Sequence, residues 1–281
     1  MTDASGHLDH SASTAAGLLT MISDQLGKQL GHRAPRGRRP GPALVLVAHG
    51  SRDPRALTTV GELVERVREQ RPGLDVRLAH IELNEPLVSE VLAGLPRGGR
   101  AVLVPLLLSR GYHVKRDLPD AAQAAGHLLT RVAEPLGPHA LLVDVLHDRL
   151  REAGWRERGG GGVVLAASGS RDPEAAIDTR RTAALLARRL GVPVVPAYAS
   201  GPGPDVAAAV RALTARGCRP TALASYFTAP GRFATEAAAA FPGDVVAAPL
   251  GAHPDLARLA LHRYDSALLA SAGTVRQPAV A

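Results

Sequence analysis

The amino-acid sequence predicts an α/β protein made of two tandem, duplicated domains, each a mainly four-stranded parallel sheet flanked by helices, with a cleft between them. The first observation is a repeat: LVLVAHGSRDP at 44–54 returns as VVLAASGSRDP at 163–173, 119 residues later. The second is that apolar strand segments alternate with helical segments, which indicates parallel strands joined by helical crossovers. A length of 281 residues is enough for two small cores.

Continuous apolar runs and helix-start signals place the elements of the first copy. We expect strands at 43–48, 76–81, 101–108 and 140–146, the last followed by a helix through Leu150. Helices are predicted to begin at Asp53-Pro54, at Glu85-Pro86 and near Asp117-Leu118-Pro119.

The second copy repeats this alternation after a glycine-rich stretch. We expect strands at 163–167, 192–197 and 221–226, and helices from Asp172-Pro173 and over 205–215. The predicted domains are a basic disordered tail over 1–41, a first domain over 42–155, a linker over 156–162, a second domain over 163–268 and a tail over 269–281.

Composition narrows the function classes. The net charge is +7, but part of it lies in the tail, and three Phe and four Tyr with no stacking pattern argue against nucleic-acid binding. The single cysteine, Cys218, excludes an internal disulfide. No signal peptide or membrane-spanning run is found, so we expect a cytoplasmic monomer with no membrane contact.

Metal-type ligands follow three successive strands of the first copy. His49 comes after the first strand, Glu82 after the second, and His113 lies in the loop after the third. Because the carboxyl ends of parallel strands share one edge of a sheet, these side chains are expected to lie together. Imidazole and carboxylate suit Fe, Co, Ni or Zn.

The second copy has lost all three candidate ligands. His49 aligns with Ser168, Glu82 falls near Ser200, and His113 aligns with Phe233. The repeated phrase is therefore interpreted as scaffold and the histidine as function. The sequence predicts one metal site per chain, in the first copy.

Three segments, VAHGSRDP, IELNEP and VPLLLSRGYHVKRDLP, closely resemble the motifs of the sirohydrochlorin chelatases, the small class II tetrapyrrole chelatases. The resemblance covers residues 44 to about 120, and the second half resembles the same domain with eroded motifs. It departs only mildly, with Asp117-Leu118-Pro119 where the family usually has Asp-Ile-Pro. It implies that His49, Glu82 and His113 are metal ligands and catalytic residues.

The resemblance further implies ATP-independent insertion of Fe²⁺ or Co²⁺ into sirohydrochlorin, an anionic tetrapyrrole, for sirohaem or cobalamin synthesis. The metal is a substrate, and no permanently bound cofactor is expected. Four cations beside the ligands are expected to bind the substrate carboxylates: Arg52, Arg110, Lys115 and Arg116.

Two other functions remain to be compared with this one. A non-catalytic metal or tetrapyrrole carrier would share every ligand and cation, and only turnover at substoichiometric protein separates it from a catalyst. A hydrolase of the α/β type would need a G-x-S-x-G nucleophile motif, which the repeated segment AASGSRD does not contain.

Overall fold

The computed structural model describes residues 41–156, 160–243 and 245–272. The first half forms a four-stranded sheet in the order β2-β1-β3-β4, with every neighbouring pair parallel. Its strands are β1 (Ala43–Ala48), β2 (Val76–His80), β3 (Arg100–Pro105) and β4 (Leu129–Val132). β1 lies inside this sheet and is buried along its whole length, as its unbroken apolar sequence predicts.

The second half repeats this sheet in the order β6-β5-β7-β8, again with parallel pairing. Its strands are β5 (Gly161–Ala167), β6 (Val194–Tyr198), β7 (Arg219–Tyr226) and β8 (Val245–Val246). The two sheets have the same strand order, so the predicted duplicated α/β fold is confirmed.

Helices connect the strands on both faces of each sheet. Those of the first half are α1 (Pro54–Gln70), α2 (Val88–Ala93), α3 (Leu118–Ala124) and α4 (Ala140–Glu152), with one π-helical turn (His113–Asp117) before α3. Those of the second half are α5 (Pro173–Leu190), α6 (Val206–Ala215), α7 (Arg232–Ala240) and α8 (Pro254–Ala272). Of the helices within the described residues, none combines the length and apolar character needed to cross a bilayer.

The repeated Gly-Ser-Arg-Asp-Pro segment does the same structural work in both halves. In the first, the Ser51 hydroxyl accepts a hydrogen bond from the Asp53 N–H, and the Asp53 carboxylate caps α1 by accepting from the Arg55 N–H. The equivalent serine and aspartate make the same two bonds at the start of α5. The phrase persists in both copies because it turns each first strand into its helix.

The last helix of each half packs on the other half. α4 contacts α5 and β7, whereas α8 contacts α1 and β3. We call α4 and α8 the exchanged helices, and they also contact each other. One apolar cluster therefore draws on both halves, and each sheet has a separate cluster on its opposite face. The two halves share a core and are not independent globules joined by a linker.

The predicted strand at 140–146 is wrong. These residues begin α4, and the fourth strand is β4. α4 lies between the halves and buries five apolar side chains, so its sequence reads as a continuous apolar run. β4 is a four-residue edge strand whose side chains alternate between exposed and half-buried, and it gives only a weak signal.

Two predicted boundaries also shift. Gly161 and Gly162, expected in the linker, belong to β5, and a Cβ at Gly162 would lie 2.7 Å from the Leu213 side chain. α8 continues to Ala272, so the expected tail cannot begin at 269. The basic segment at 1–40, residues 157–159 of the linker and residues 273–281 lie outside the described residues.

Both exchanged helices begin at a histidine whose Nδ1 accepts a backbone N–H two residues later. At α4, His139 Nδ1 accepts from Leu141 at 3.1 Å, and at α8, His253 Nδ1 accepts from Asp255 at 3.2 Å. Only an unprotonated Nδ1 can accept this bond. Burial lowers the pKa of His139, helped by the charge of Arg263, so the neutral form that caps α4 is favoured.

We predict that the cap makes the folded state acid-sensitive. The stability it contributes is present above the ordinary imidazole pKa of about 6.5 and is lost as the pH falls through the lowered pKa of the folded state. His139→Asn keeps a capping oxygen that does not titrate in this range. In urea unfolding between pH 8 and 5, the free energy of unfolding should fall less steeply in His139→Asn than in the wild type.

At pH 8 the two proteins should agree within about 1 kcal/mol, because both caps are then intact. Parallel pH profiles for the two proteins would show that the His139 cap does not carry the effect.

Candidate metal centre

The three candidate ligands lie at one edge of the first sheet. His49 follows β1, Glu82 follows β2 by two residues, and His113 begins the π-helical turn after β3. β1 lies between β2 and β3. The connection that follows β1 therefore runs to one side of the sheet, and the connection that follows β3 runs to the other. A crevice opens at such a point in an open parallel sheet, and ligands bind there.

Backbone contacts hold His49 and Glu82 side by side. The Glu82 N–H donates to the His49 carbonyl at 3.1 Å, and Ser51 N–H donates to the Asn84 side chain at 2.6 Å. Gly50 lies between them with φ +105°, and a Cβ there would lie 1.8 Å from the Glu82 carbonyl oxygen. Only glycine fits this approach.

The side chains form a loose cluster. His49 Nδ1 lies 3.6 Å from Glu82 Oε1, and the rings of His49 and His113 meet edge to face with centroids 4.7 Å apart. Two donors on one tetrahedral metal at bonds of about 2.1 Å are about 3.4 Å apart, close to the His49–Glu82 separation.

The cluster is not closed on a metal in its present side-chain arrangement. Within the described residues, no three His, Cys, Asp or Glu side chains meet at metal-binding distances. Each of the three side chains is at least a third exposed, at 43% for His49, 53% for Glu82 and 34% for His113. All three side chains are therefore partly open to solvent.

A fourth residue, Asp117, fixes the His113 ring. Its Oδ2 lies 2.6 Å from His113 Nδ1 across the π-helical turn. Because an ionised carboxylate only accepts hydrogen bonds, this contact favours the tautomer of the neutral ring with its proton on Nδ1 and the Nε2 lone pair left for a metal. The aspartate was read from the sequence only as a helix-start signal, because a π-helical turn cannot be told from an α-helical one by pattern.

Two exposed apolar side chains flank the ligands, and no sequence pattern singles them out. Leu83, directly after Glu82, is 51% exposed, and Tyr112, directly before His113, is 65% exposed. Leu83 also has φ +67°, a conformation that L-residues other than Asn and Asp rarely adopt. Strain of this kind leaves no sequence signal, and it gathers at functional sites.

The four expected substrate-binding cations lie in two different settings. Arg52 and Arg116 are exposed, and within the described ranges neither takes part in an ion pair. Arg110 and Lys115, by contrast, are already paired with carboxylates of the second half. From the sequence, all four cations are expected to bind substrate carboxylates. Arg110 and Lys115 instead bind carboxylates of the protein.

The equivalent edge of the second sheet carries other chemistry. The Ser200 hydroxyl donates to the Ser168 carbonyl at 2.7 Å, and Phe233 packs under the Arg232 guanidinium at 4.5 Å from its ring centroid. A Cβ at Gly169 would lie 1.9 Å from the Ser200 carbonyl, the counterpart of the Gly50 contact. The backbone arrangement is kept, and its side chains are hydroxyls and an aromatic ring.

His80 is close in sequence to Glu82 but is a core residue. It is 2% exposed, and among the described residues neither ring nitrogen has a hydrogen-bond partner. Burial lowers its pKa, which favours the neutral ring.

Parts of this chain are similar in sequence to two sirohydrochlorin chelatases. The chain is 31% identical over 133 residues to the chloroplastic sirohydrochlorin ferrochelatase of Arabidopsis thaliana, and the match covers 45% of this chain and 59% of that protein. It is 35% identical over 80 residues to the sirohydrochlorin cobaltochelatase of Methanococcus aeolicus, covering 28% of this chain and 56% of that protein. The matches thus span less than two thirds of either relative.

A solved structure shares the fold across both halves. SirB from Bacillus subtilis with Fe³⁺ superposes with a TM-score of 0.66 at 22% identity, covering 83% of this chain and 97% of that one. The family model described as CbiX matches twice, at residues 43–153 and 162–267. These two matches take in both sheets, and the chain therefore belongs to the CbiX family.

Proposed function

We propose that this protein inserts a divalent metal, Fe²⁺ or Co²⁺, into sirohydrochlorin without ATP, and that His49, Glu82 and His113 present the metal. The observation that carries the proposal is the convergence of these three side chains at the crevice of the first sheet. Relatives named as ferrochelatase and as cobaltochelatase support the reaction and leave both metals in the proposal.

The donor set suits a metal that must be released. Two imidazoles and one carboxylate leave coordination positions open for the pyrrole nitrogens, whereas a closed site of four thiolates would retain the metal. The partial exposure of all three side chains fits a site that the metal enters and leaves in each cycle.

Metal insertion also displaces two protons from the pyrrole nitrogens. A carboxylate or a neutral imidazole at the metal site can accept them, which suits Glu82 and His49. Asp117 keeps the His113 Nδ1 proton in place and so leaves Nε2 directed to the metal.

The surroundings offer contacts for a large anionic macrocycle. Leu83 and Tyr112 present apolar surface beside two of the ligands. Arg52 and Arg116 are exposed cations that can form charge-assisted hydrogen bonds with the substrate carboxylates. We assign substrate binding to these four side chains.

Removing a ligand should abolish chelation with little effect on folding, because all three ligands lie beyond the strand ends and are at least a third exposed. His49→Ala, Glu82→Gln and His113→Ala should each lower kcat/KM at least about a hundredfold, by loss of a metal donor. Absorbance of sirohydrochlorin with Fe²⁺ or Co²⁺ measures turnover, and Co²⁺ titration should give one ion per chain.

The second copy supplies the matched control. Ser168→Ala, at the position equivalent to His49, should bind Co²⁺ with wild-type affinity. Two equivalent Co²⁺ ions per chain, or full activity in a His49/His113 double variant, would contradict the assignment. A wild-type protein that binds metal and sirohydrochlorin but shows no turnover at substoichiometric protein is a carrier.

Neutralising Arg52 or Arg116 should weaken binding of the macrocycle and leave binding of the metal unchanged. Arg52→Gln and Arg116→Gln should each raise KM for sirohydrochlorin about three- to tenfold, since one charge-assisted bond is lost. Their Co²⁺ affinity should stay at the wild-type value. Arg97→Gln, an exposed arginine in the loop before β3, serves as the charge-matched control. Equal KM values in all three variants would remove Arg52 and Arg116 from the substrate site.

A further inference from the structure

The segment that carries His113, residues 106–117, is fastened by side chains of the second half; we call it the ligand loop. Asp178 of α5 makes the central contact, and its side chain is 0% exposed. Its carboxylate accepts from the Arg110 backbone N–H at 2.9 Å, from Nε at 2.9 Å and from Nη2 at 2.7 Å. Both the backbone and the side chain of Arg110 are therefore held by one buried group.

The charges in this contact reinforce each other. Burial alone would raise the pKa of Asp178, but the hydrogen bonds from Arg110 outweigh it and hold the pKa below its usual value. The same bonds raise the pKa of Arg110. The pair stays ionised, and a buried ion pair of this kind is costly to break from one side.

A second contact lies two residues beyond His113. The Lys115 ammonium is 2.7 Å from Asp172 Oδ2 and 2.6 Å from Glu174 Oε2, both at the start of α5. Arg110 and Lys115 thus bracket His113 in the sequence, and each is paired with a carboxylate of the same helix.

The second half also holds the residues that directly follow β3. The Tyr226 hydroxyl donates to the Leu108 carbonyl at 2.9 Å, and the Thr228 hydroxyl donates to the Leu106 carbonyl at 3.0 Å. Thr182 of α5, one turn after Asp178, lies 3.2 Å from the Tyr226 hydroxyl. The second half therefore contacts the ligand loop from its beginning to Lys115.

The duplication provides an internal comparison, because every contact has an equivalent position in the other copy. Asp178 corresponds to Thr59, Arg110 to Pro230, and Lys115 to Thr235. Within the described ranges, no side chain of the first half hydrogen-bonds to residues 229–235. The contacts are thus one-sided, and they act on the copy that keeps the metal ligands.

We propose that the second copy serves as a template that positions the ligand loop, with Asp178, Asp172 and Glu174 as positioning residues for His113. This rests on the proposed role of His113 in presenting the metal. A loop tied at Arg110 and Lys115 keeps the His113 ring next to His49. Loss of precision at such a group is expensive, because a displacement of about 1 Å can cost a hundredfold in rate.

The test uses the full chain and Co²⁺ alone as the probe, followed by its visible absorption. Asp178→Asn should weaken Co²⁺ binding about tenfold, the usual size of an effect on a group that orients a ligand. Asp265→Asn is the control for loss of a carboxylate–arginine pair between the halves, because Asp265 binds Arg71 at 2.6 and 2.7 Å, with its side chain 44% exposed. Arg71 lies at the far end of α1, a helix about 25 Å long. The Co²⁺ affinity of Asp265→Asn should therefore stay within twofold of the wild type.

A second pair of variants avoids the buried position. Lys115→Gln removes the exposed contact and should weaken Co²⁺ binding, whereas Lys115→Arg keeps a cation that can reach Asp172 and Glu174 and should restore it. No tetrapyrrole is present, so a lost substrate contact cannot produce this difference. Should Asp178→Asn fail to fold, the Lys115 pair decides the outcome.

Wild-type Co²⁺ affinity and an unchanged visible spectrum in both folded Asp178→Asn and Lys115→Gln would overturn the positioning role. The proposed function fails separately, when the wild type binds Co²⁺ but does not insert metal into sirohydrochlorin. In that case the Co²⁺ measurements still decide whether the second copy positions His113.

Discussion

Each of the two sheets depends on a helix from the other half to cover one of its faces. α8 closes the first sheet against β3 and α1, and α4 closes the second against β7 and α5. Apolar burial is the largest favourable contribution to folding, so a sheet with one open apolar face is not a stable unit. The second copy therefore contributes part of the core of the first, whatever its own site has lost.

That dependence explains how the copies diverge. Residues that form the turn from strand to helix are the same in both: a glycine against a carbonyl oxygen, a serine, and an aspartate that caps the helix. The residue that follows the first strand differs between the copies, since His49 aligns with Ser168. Other contacts join the two copies in one direction only, such as that of Asp178 in the second copy with Arg110 in the first.

The sequence predicts well what is decided locally. β1 and the starts of α1 and α5 follow from an apolar run and from Asp-Pro caps, whose physics involves only a few neighbouring residues. The placement of His49, Glu82 and His113 at one edge of the sheet follows from parallel topology. The pairing of Arg110 with Asp178 does not, since the two lie 68 residues apart. The sequence of α4 favours a strand for the same reason, because the partners that bury this helix belong to the other half.

The positions of the exchanged helices in the sequence also affect how the chain folds during synthesis. The first sheet ends at Val132, but the helix that completes its cover ends at Ala272, 140 residues later. At roughly 5–20 residues per second, a ribosome needs roughly 7–28 s to make that stretch. During this interval the parts of β3 and α1 that α8 covers in the finished fold are not yet covered. The nascent chain is then a natural client for a chaperone, and a slowed ribosome over 132–272 lengthens its exposure to aggregation.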